Sequence, residues 1–384
     1  MKKYSTVMAD LLRVLPRHRI REVIQRSGAD RGVRSLSTFQ LLTTILYGQI
    51  TKAFSFREIE HGLSVHANRL YHSGMVAVKR STLSDAMSKR SSSVFEQIYH
   101  ELVAMAVRKA GDSARHFKNP LRAIDSTTIP LSIERFDWAK FRKAKGAMKL
   151  HVAYDIDSQM PTQAICTHAS IADVQVLPRM AHGQAIFVMD RGYLSFNRLY
   201  EKEIRGERYV TRVRYNTNCR KVRQFSRPVT PGVKSDLVVK LDNPRRHIDY
   251  PAPARLVEYQ DPVTQKQFRF LTNVWDLSAQ QIADIYKARW QVELFFKWIK
   301  QNLKIKTFWG TSRNAVELQI WAALILYVLI WIHRSMMTVD FSMQRLTQMI
   351  RLSVFHHKTI VDLVRPPDRP PPAITPLLWA TSGG

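Results

Sequence analysis

From the first residues to about 112, apolar positions recur every three to four residues, the spacing that puts them on one face of a helix. FQLLTTILYG (39–48) carries such a run. Pro16 suits the first turn of a helix reaching about Arg26, because a first-turn residue needs no amide hydrogen. SFREIEHGL (55–63) and STLSDAMSKR (81–90) predict two short helices. Ser93, followed three positions later by Glu96, forms a capping box that opens the longer VFEQIYHELVAMAVRKA. Two short helices before a longer basic-edged one fit a helix-turn-helix-like DNA reader, and equally a plain helical bundle.

The texture changes at residue 120. LRAIDSTTIPLS, KLHVAYDI, QAICTHAS, AIFVMD and RYVTRVR are short β-rich runs. Helical ADVQVLPRMA precedes the fourth run and SFNRLYEKEIRG the fifth. Three strands in succession, then alternation with helices, predict a mixed sheet with helices on its faces. Residues 215–277 hold Pro, Asn and Arg clusters and three further strand candidates, DLVVKL, ARLVEYQ and QFRFLTNVW, and are expected to form a β-rich insertion. Long helices follow over 278–304, 314–337 and 342–355, and RPPDRPPPAITP ends the chain in an extended, Pro-rich tail. The most apolar segment, IWAALILYVLIWI (320–332), has 13 residues. A bilayer span needs roughly 18 to 20, so a helix buried in a protein core is expected and a membrane span is the weaker alternative.

Charge sharpens the picture. The 384 residues, enough for two or three domains, include 59 Lys and Arg against 31 Asp and Glu, a net charge of +28. The excess is spread along the chain, as in RIREVIQR, KFRKAKGAMK and RVRYNTNCRKVRQ. Such a field favours a polyanion, with nucleic acid ahead of an anionic membrane surface. Two distant cysteines, Cys166 and Cys219, argue against a zinc site or disulfide framework, fit a reducing cytoplasm, and are taken as structural. No signal-peptide-like apolar run opens the chain.

In so basic a chain, each acid at a strand end stands out. Asp125 follows the apolar LRAI, and Asp190 follows AIFVM and precedes RGY. Both suit a crevice at strand ends, and both could instead be turn residues. A third acid, Glu293, lies in YKARWQVELFFKWIK (286–300). With Tyr286 at 0° on a continuous helix, Arg289 falls near 300°, Glu293 near 340° and Lys300 near 320°. Val292, Phe295, Phe296 and Ile299 form the neighbouring apolar face. Taken alone, this helix could carry only a solvated Arg–Glu pair. Converging with Asp125 and Asp190, Glu293 would complete a hard oxygen site for magnesium or manganese, suited to in-line phosphoryl transfer.

The spacing of Tyr286, Arg289, Glu293 and Lys300 reproduces Y-x2-R-x3-E-x6-K, and with AIDSTTI and VMDRGY the chain resembles bacterial insertion-sequence transposases of the DDE type. The likeness covers about 118–335. It implies a ribonuclease-H-like α/β core, a mixed sheet flanked by helices, over 118–340, interrupted by the 215–277 insertion. An all-α domain over 1–112, a candidate for binding DNA ends, precedes it, and a helix and Pro-rich tail (341–384) follow. It further implies cut-and-paste DNA transposition. Asp125, Asp190 and Glu293 would be catalytic and hold two Mg2+ ions, which Mn2+ can replace. Cleavage at the element's end, a hairpin intermediate and strand transfer are expected of members with this signature. Tyr286, Arg289 and Lys300 would contact DNA phosphates, and Trp290 or Trp275 could stack on a flipped base, with core packing the competing expectation for Trp275. Lys149 and His151, on the strand beside Asp125, could meet phosphate, although His151 could equally be a satisfied strand histidine. Expected partners are double-stranded DNA, as terminal inverted repeats and target, and a second copy of the chain in the synaptic complex. No membrane is expected, and the location would be the bacterial cytoplasm, at the nucleoid. The competing readings are a metal-dependent nuclease or resolvase and a catalytically idle DNA-binding repressor.

Overall fold

A computed structural model describes residues 5–110, 119–143, 145–180, 182–227, 230–241, 250–337 and 341–365. Six helices come first: α1 (Val7–Arg13), α2 (Arg17–Ser27), α3 (Thr38–Thr51), α4 (Phe56–Val65), α5 (Arg80–Lys89) and α6 (Ser92–Ala110). Their starts follow local chemistry. Ser37 and Gln40 form a reciprocal capping box on α3, and the Ser55 hydroxyl accepts from the Glu58 N–H on α4. The capping box expected at Ser93 does not form, because α6 begins at Ser92, two residues before the start that such a box would set. There the Ser91 hydroxyl accepts from the Ser93 N–H at 3.3 Å.

The sheet begins with β1 (Leu121–Leu131), β2 (Lys140–Arg142), β3 (Lys145–Asp155) and β4 (Met160–His168). Helix α7 (Asp173–Met180) leads into β5 (Ile186–Met189), and α8 (Phe196–Ile204) into β6 (Arg208–Arg212). β7 (Cys219–Gln224), β8 (Val233–Leu241), β9 (Ala254–Gln260) and β10 (Gln267–Thr272) complete it. The central order is β4-β3-β1-β5-β6, with β4, β3 and β1 antiparallel and β1, β5 and β6 parallel. That order and those directions are the ribonuclease-H-like arrangement. The β-rich segment adds β10, β9, β8 and β7 antiparallel to the β6 edge, so it lengthens the same sheet.

Alternation along each strand sorts side chains between two cores. In β5, Ile186 and Val188 join one core while Phe187 and Met189 join the other, under α7 and α8. In β1, Leu121 and Ala123 face the first core and Ile124 the second.

The remaining helices are α9 (Ala279–Ala288), α10 (Trp290–Asn302), α11 (Arg313–Ser335), α12 (Met343–Leu352) and α13 (Ile360–Val364). The helix expected over 278–304 is broken at Arg289, where N–H groups bond to carbonyls three residues back: Arg289 to Tyr286 at 3.2 Å and Val292 to Arg289 at 3.1 Å. Helix α11 holds the apolar segment. It is the one described helix long and apolar enough to cross a membrane, and 94% of its apolar window is covered by protein. It packs against α1, α3, α5, α6, α12 and β4. Phe95, Ile98, Tyr99 and Leu102 of α6 are fully buried, so one face of the long helix of the N-terminal region packs into a helical bundle. Buried Gln49 and Gln319 tie α3, α11 and the loop after α10 together. The Gln319 amide donates to the Lys304 and Thr307 carbonyls at 2.6 and 2.8 Å, and the Lys304 N–H donates to Gln49 Oε1 at 2.7 Å. Pro366 and the rest of the Pro-rich tail lie outside the described residues.

Candidate active site

Three elements aim the three acids. Asp125 lies on β1, on the same strand face as Leu121 and Ala123. Helix α10 crosses that face and brings Glu293 to it. Asp190 directly follows β5, the parallel neighbour of β1, where the chain turns through Arg191–Tyr193.

Arg289 binds two of these acids at once. Its Nη1 donates to Asp125 Oδ2 at 2.9 Å and its Nη2 to Glu293 Oε1 at 2.7 Å. The tight turn between α9 and α10 positions this side chain, and the planar, forked guanidinium presents separate N–H groups to the two carboxylates. The Tyr286 hydroxyl donates to Asp190 Oδ1 at 3.2 Å, and its ring packs on Phe270 with centroids 4.7 Å apart. The Tyr, Arg and Glu of the signature thus bear on all three acids.

Burial pushes the Asp125 carboxyl above the usual carboxylate range. The Ser126 N–H and Arg289 pull it back, while the charges of Glu293 and Asp190 push it further up. The Tyr286 phenol is pushed up to about 12, by burial first and by Asp190 next. Burial works against the charge of Arg289, but Tyr286, Asp125 and Glu293 outweigh it and hold the guanidinium more firmly protonated than usual.

The acidic donors are all carboxylate oxygens, the chemistry that suits Mg2+ or Mn2+. As they stand, no three Asp, Glu, His or Cys side chains among the described residues converge on one ion position. The cation between Asp125 and Glu293 is Arg289 itself. By donor chemistry the residues fit a divalent ion, with Arg289 balancing the same charges.

The other expected site residues divide. Lys300 is on α10, two helical turns beyond Glu293, half-buried and without a hydrogen bond or ion pair to a described residue. Burial, then the neighbouring Lys306, lowers its pKa. Trp290 is 58% exposed at the start of α10. Trp275 is less exposed and packs on Phe225, with centroids 5.4 Å apart. Lys149 and His151 are not brought to the acids. In register, His151 lies opposite Ser126 and Lys149 opposite Thr128, so both point to the sheet face away from Asp125. There Lys149 Nζ donates to Asp173 Oδ1 at 3.1 Å, and His151 Nε2 pairs with Thr167 Oγ1 at 2.9 Å.

Asp173 and Ser126 were missed from sequence. The available signal was an acid opening the helix of ADVQVLPRMA in a chain where acids are scarce.

Residues 116–329 match the family described as Transposase DDE domain, and residues 3–76 match a Domain of unknown function (DUF4372). The chain is 29% identical over 344 residues to a Geobacillus stearothermophilus protein named as a transposase for insertion sequence element IS5377, covering 87% of this chain and 86% of that one. It is 33% identical over 294 residues to a Sinorhizobium fredii protein named as a transposase, y4zB, covering 74% of this chain and 80% of the other. A cryo-EM structure of the piggyBac transposase synaptic complex with hairpin DNA aligns with 92% of this chain and 80% of its own, at a TM-score of 0.45 and 12% identity, a distant likeness. With a family match over more than half its length, the chain belongs to the DDE transposases of insertion sequences, enzymes that cleave DNA and join its strands.

Proposed function

We propose that this transposase moves its element by cut-and-paste chemistry, with Asp125, Asp190 and Glu293 as the catalytic acids holding two divalent ions. Carrying this reading is the meeting of Asp125 on β1 and Glu293 on α10 through one guanidinium, with Asp190 tied to the same helix pair through Tyr286. Magnesium, or manganese in its place, would supply activation of the attacking oxygen and stabilisation of the leaving one.

The chain's own residues do the positioning. Arg289 and Tyr286 hold the acids, and both are placed to pass to DNA phosphates at the same site. Lys300, with no acidic partner among the described residues, offers its ammonium to a phosphate two turns along α10. Trp290, exposed beside Arg289, offers a ring face to an unstacked base of a hairpinned end. The substrate is duplex DNA carrying the element's terminal inverted repeats, then target DNA, and pairing two ends calls for two copies of the chain. Cytoplasmic residence at the nucleoid follows from that substrate.

The test incubates the full-length protein and its Glu293→Gln variant with the element's flanking ends and Mg2+, and resolves products on a denaturing gel. Nicked, hairpin and joined products from the wild type alone are expected. Nicking without joining would indicate a nuclease, and binding without cleavage a DNA-binding repressor.

A further inference from the structure

Behind the acids, on the opposite face of the sheet, Asp173 meets two donors and a histidine ring from two strands. Ser126 Oγ donates to its Oδ1 at 2.9 Å and Lys149 Nζ at 3.1 Å, and His151 Nδ1 lies 3.8 Å away. Lys149 is held by a second bond, to the Ile171 carbonyl at 3.0 Å, and His151 is fully buried. Asp173 is the first residue of α7, and α7 abuts the turn after Asp190. A Cβ on Gly192 in that turn would stand 3.7 Å from Asp173 Oδ2. Buried Tyr193, next along, feels the charges of both Asp173 and Asp125.

Ser126 connects this cluster to the active site. Its hydroxyl goes to Asp173 on one sheet face, and its N–H donates to Asp125 Oδ1 at 2.8 Å. The strand there carries a catalytic acid on one side and an anchored hydroxyl on the other. Nothing in the acid constellation itself requires this anchor: Asp125 already has Arg289.

We propose that Asp173 is a positioning residue for Asp125, acting through Ser126: it clamps β1 at Ser126, so that the Ser126 N–H sets the Asp125 carboxylate, and braces the turn that carries Asp190. The inference rests on the assignment of Asp125 as an ion-holding acid. Asp173 touches no substrate. Its effect is on how well the carboxylates are set before any ion arrives, and groups that orient ligating carboxylates in this way are worth roughly 10- to 100-fold in metal affinity.

The test is Mn2+ binding to the full-length protein, read as loss of the free-ion electron paramagnetic resonance signal, with thermal unfolding recorded for each variant. Asp125→Asn is the reference and is expected to abolish tight Mn2+ binding. Ser126→Ala and Asp173→Ala are each expected to weaken binding roughly tenfold, and the double variant no more than either alone, because both break one chain of contacts. Asp173→Asn retains an oxygen that can accept from Ser126 and is expected to rescue binding to within about threefold of wild type. A purely structural role would lower the melting temperature and leave Mn2+ affinity unmoved. Wild-type affinity in Ser126→Ala, or losses that multiply in the double variant, would overturn the proposal while Asp125→Asn still upheld the active-site assignment. Unchanged binding in Asp125→Asn would overturn both. Should Asp173→Ala fail to fold, Ser126→Ala and Asp173→Asn carry the same decision.

Discussion

At the scale of single residues, identity counts for less than the face a side chain occupies. Lys149 and His151 are one strand position out of phase with the acids, and that parity sends both to Asp173. For His151 the result is measurable. Burial drives its pKa from 6.5 down to about 4, helped by Lys149 and Arg179 against the pull of Asp173. The folded form therefore releases the proton that the unfolded form holds below pH 6.5. Stability from this group is complete above that pH and is lost as pH falls toward 4. By pH 4.5 the loss amounts to roughly 2 to 3 kcal/mol. Urea unfolding of wild type and His151→Gln at pH 7 and 4.5 checks this: the wild type should lose roughly that much more than the variant between the two conditions.

At the scale of elements, the signature stretch shows what a sequence can and cannot convey. Periodicity locates the strand that carries Asp125, the strand that ends just before Asp190 and the helical stretch that carries Glu293. It could not show the break at Arg289, because a switch to bonds three residues apart costs no change in composition. Nor could it show β7, since CRKVRQ is too charged to alternate visibly and is held on the sheet edge by pairing with β8. Asp173 was hidden for a different reason: its meaning lies in contacts with β1 and β3, dozens of residues away. The α10 stripe survives the break, since Glu293 and Lys300 lie on one continuous helix. If Lys300 neutralises one phosphate, Lys300→Gln should reduce the slope of log affinity against log salt by about 0.9. Fluorescence anisotropy of labelled end DNA across a salt series reads this directly, and an unchanged slope would remove Lys300 from the DNA path.

At the scale of the whole molecule, the helical N-terminal region and the catalytic sheet share one hydrophobic core organised around α11. The ends of the described chain meet there too. The Met8 N–H donates to the Val354 carbonyl at 2.8 Å, and the Ile360 N–H to Asp10 Oδ2 at 2.8 Å. Residues matched to different family descriptions therefore pack on one core, and they are expected to fold as one unit. A single cooperative transition is expected in calorimetry, with calorimetric and van't Hoff enthalpies in agreement. Two resolved transitions would show that the N-terminal region holds a core of its own.

The same arrangement imposes an order on the protein's synthesis. The first six helices leave the ribosome with their inward faces bare, and the helix that covers them is encoded roughly two hundred residues later. At about 5 to 20 residues per second, that interval lasts roughly 10 to 40 s. Throughout it, the faces of the first six helices that α11 later covers stay exposed. A chain terminated before α11 lacks the helix on which its N-terminal region and its catalytic sheet both pack.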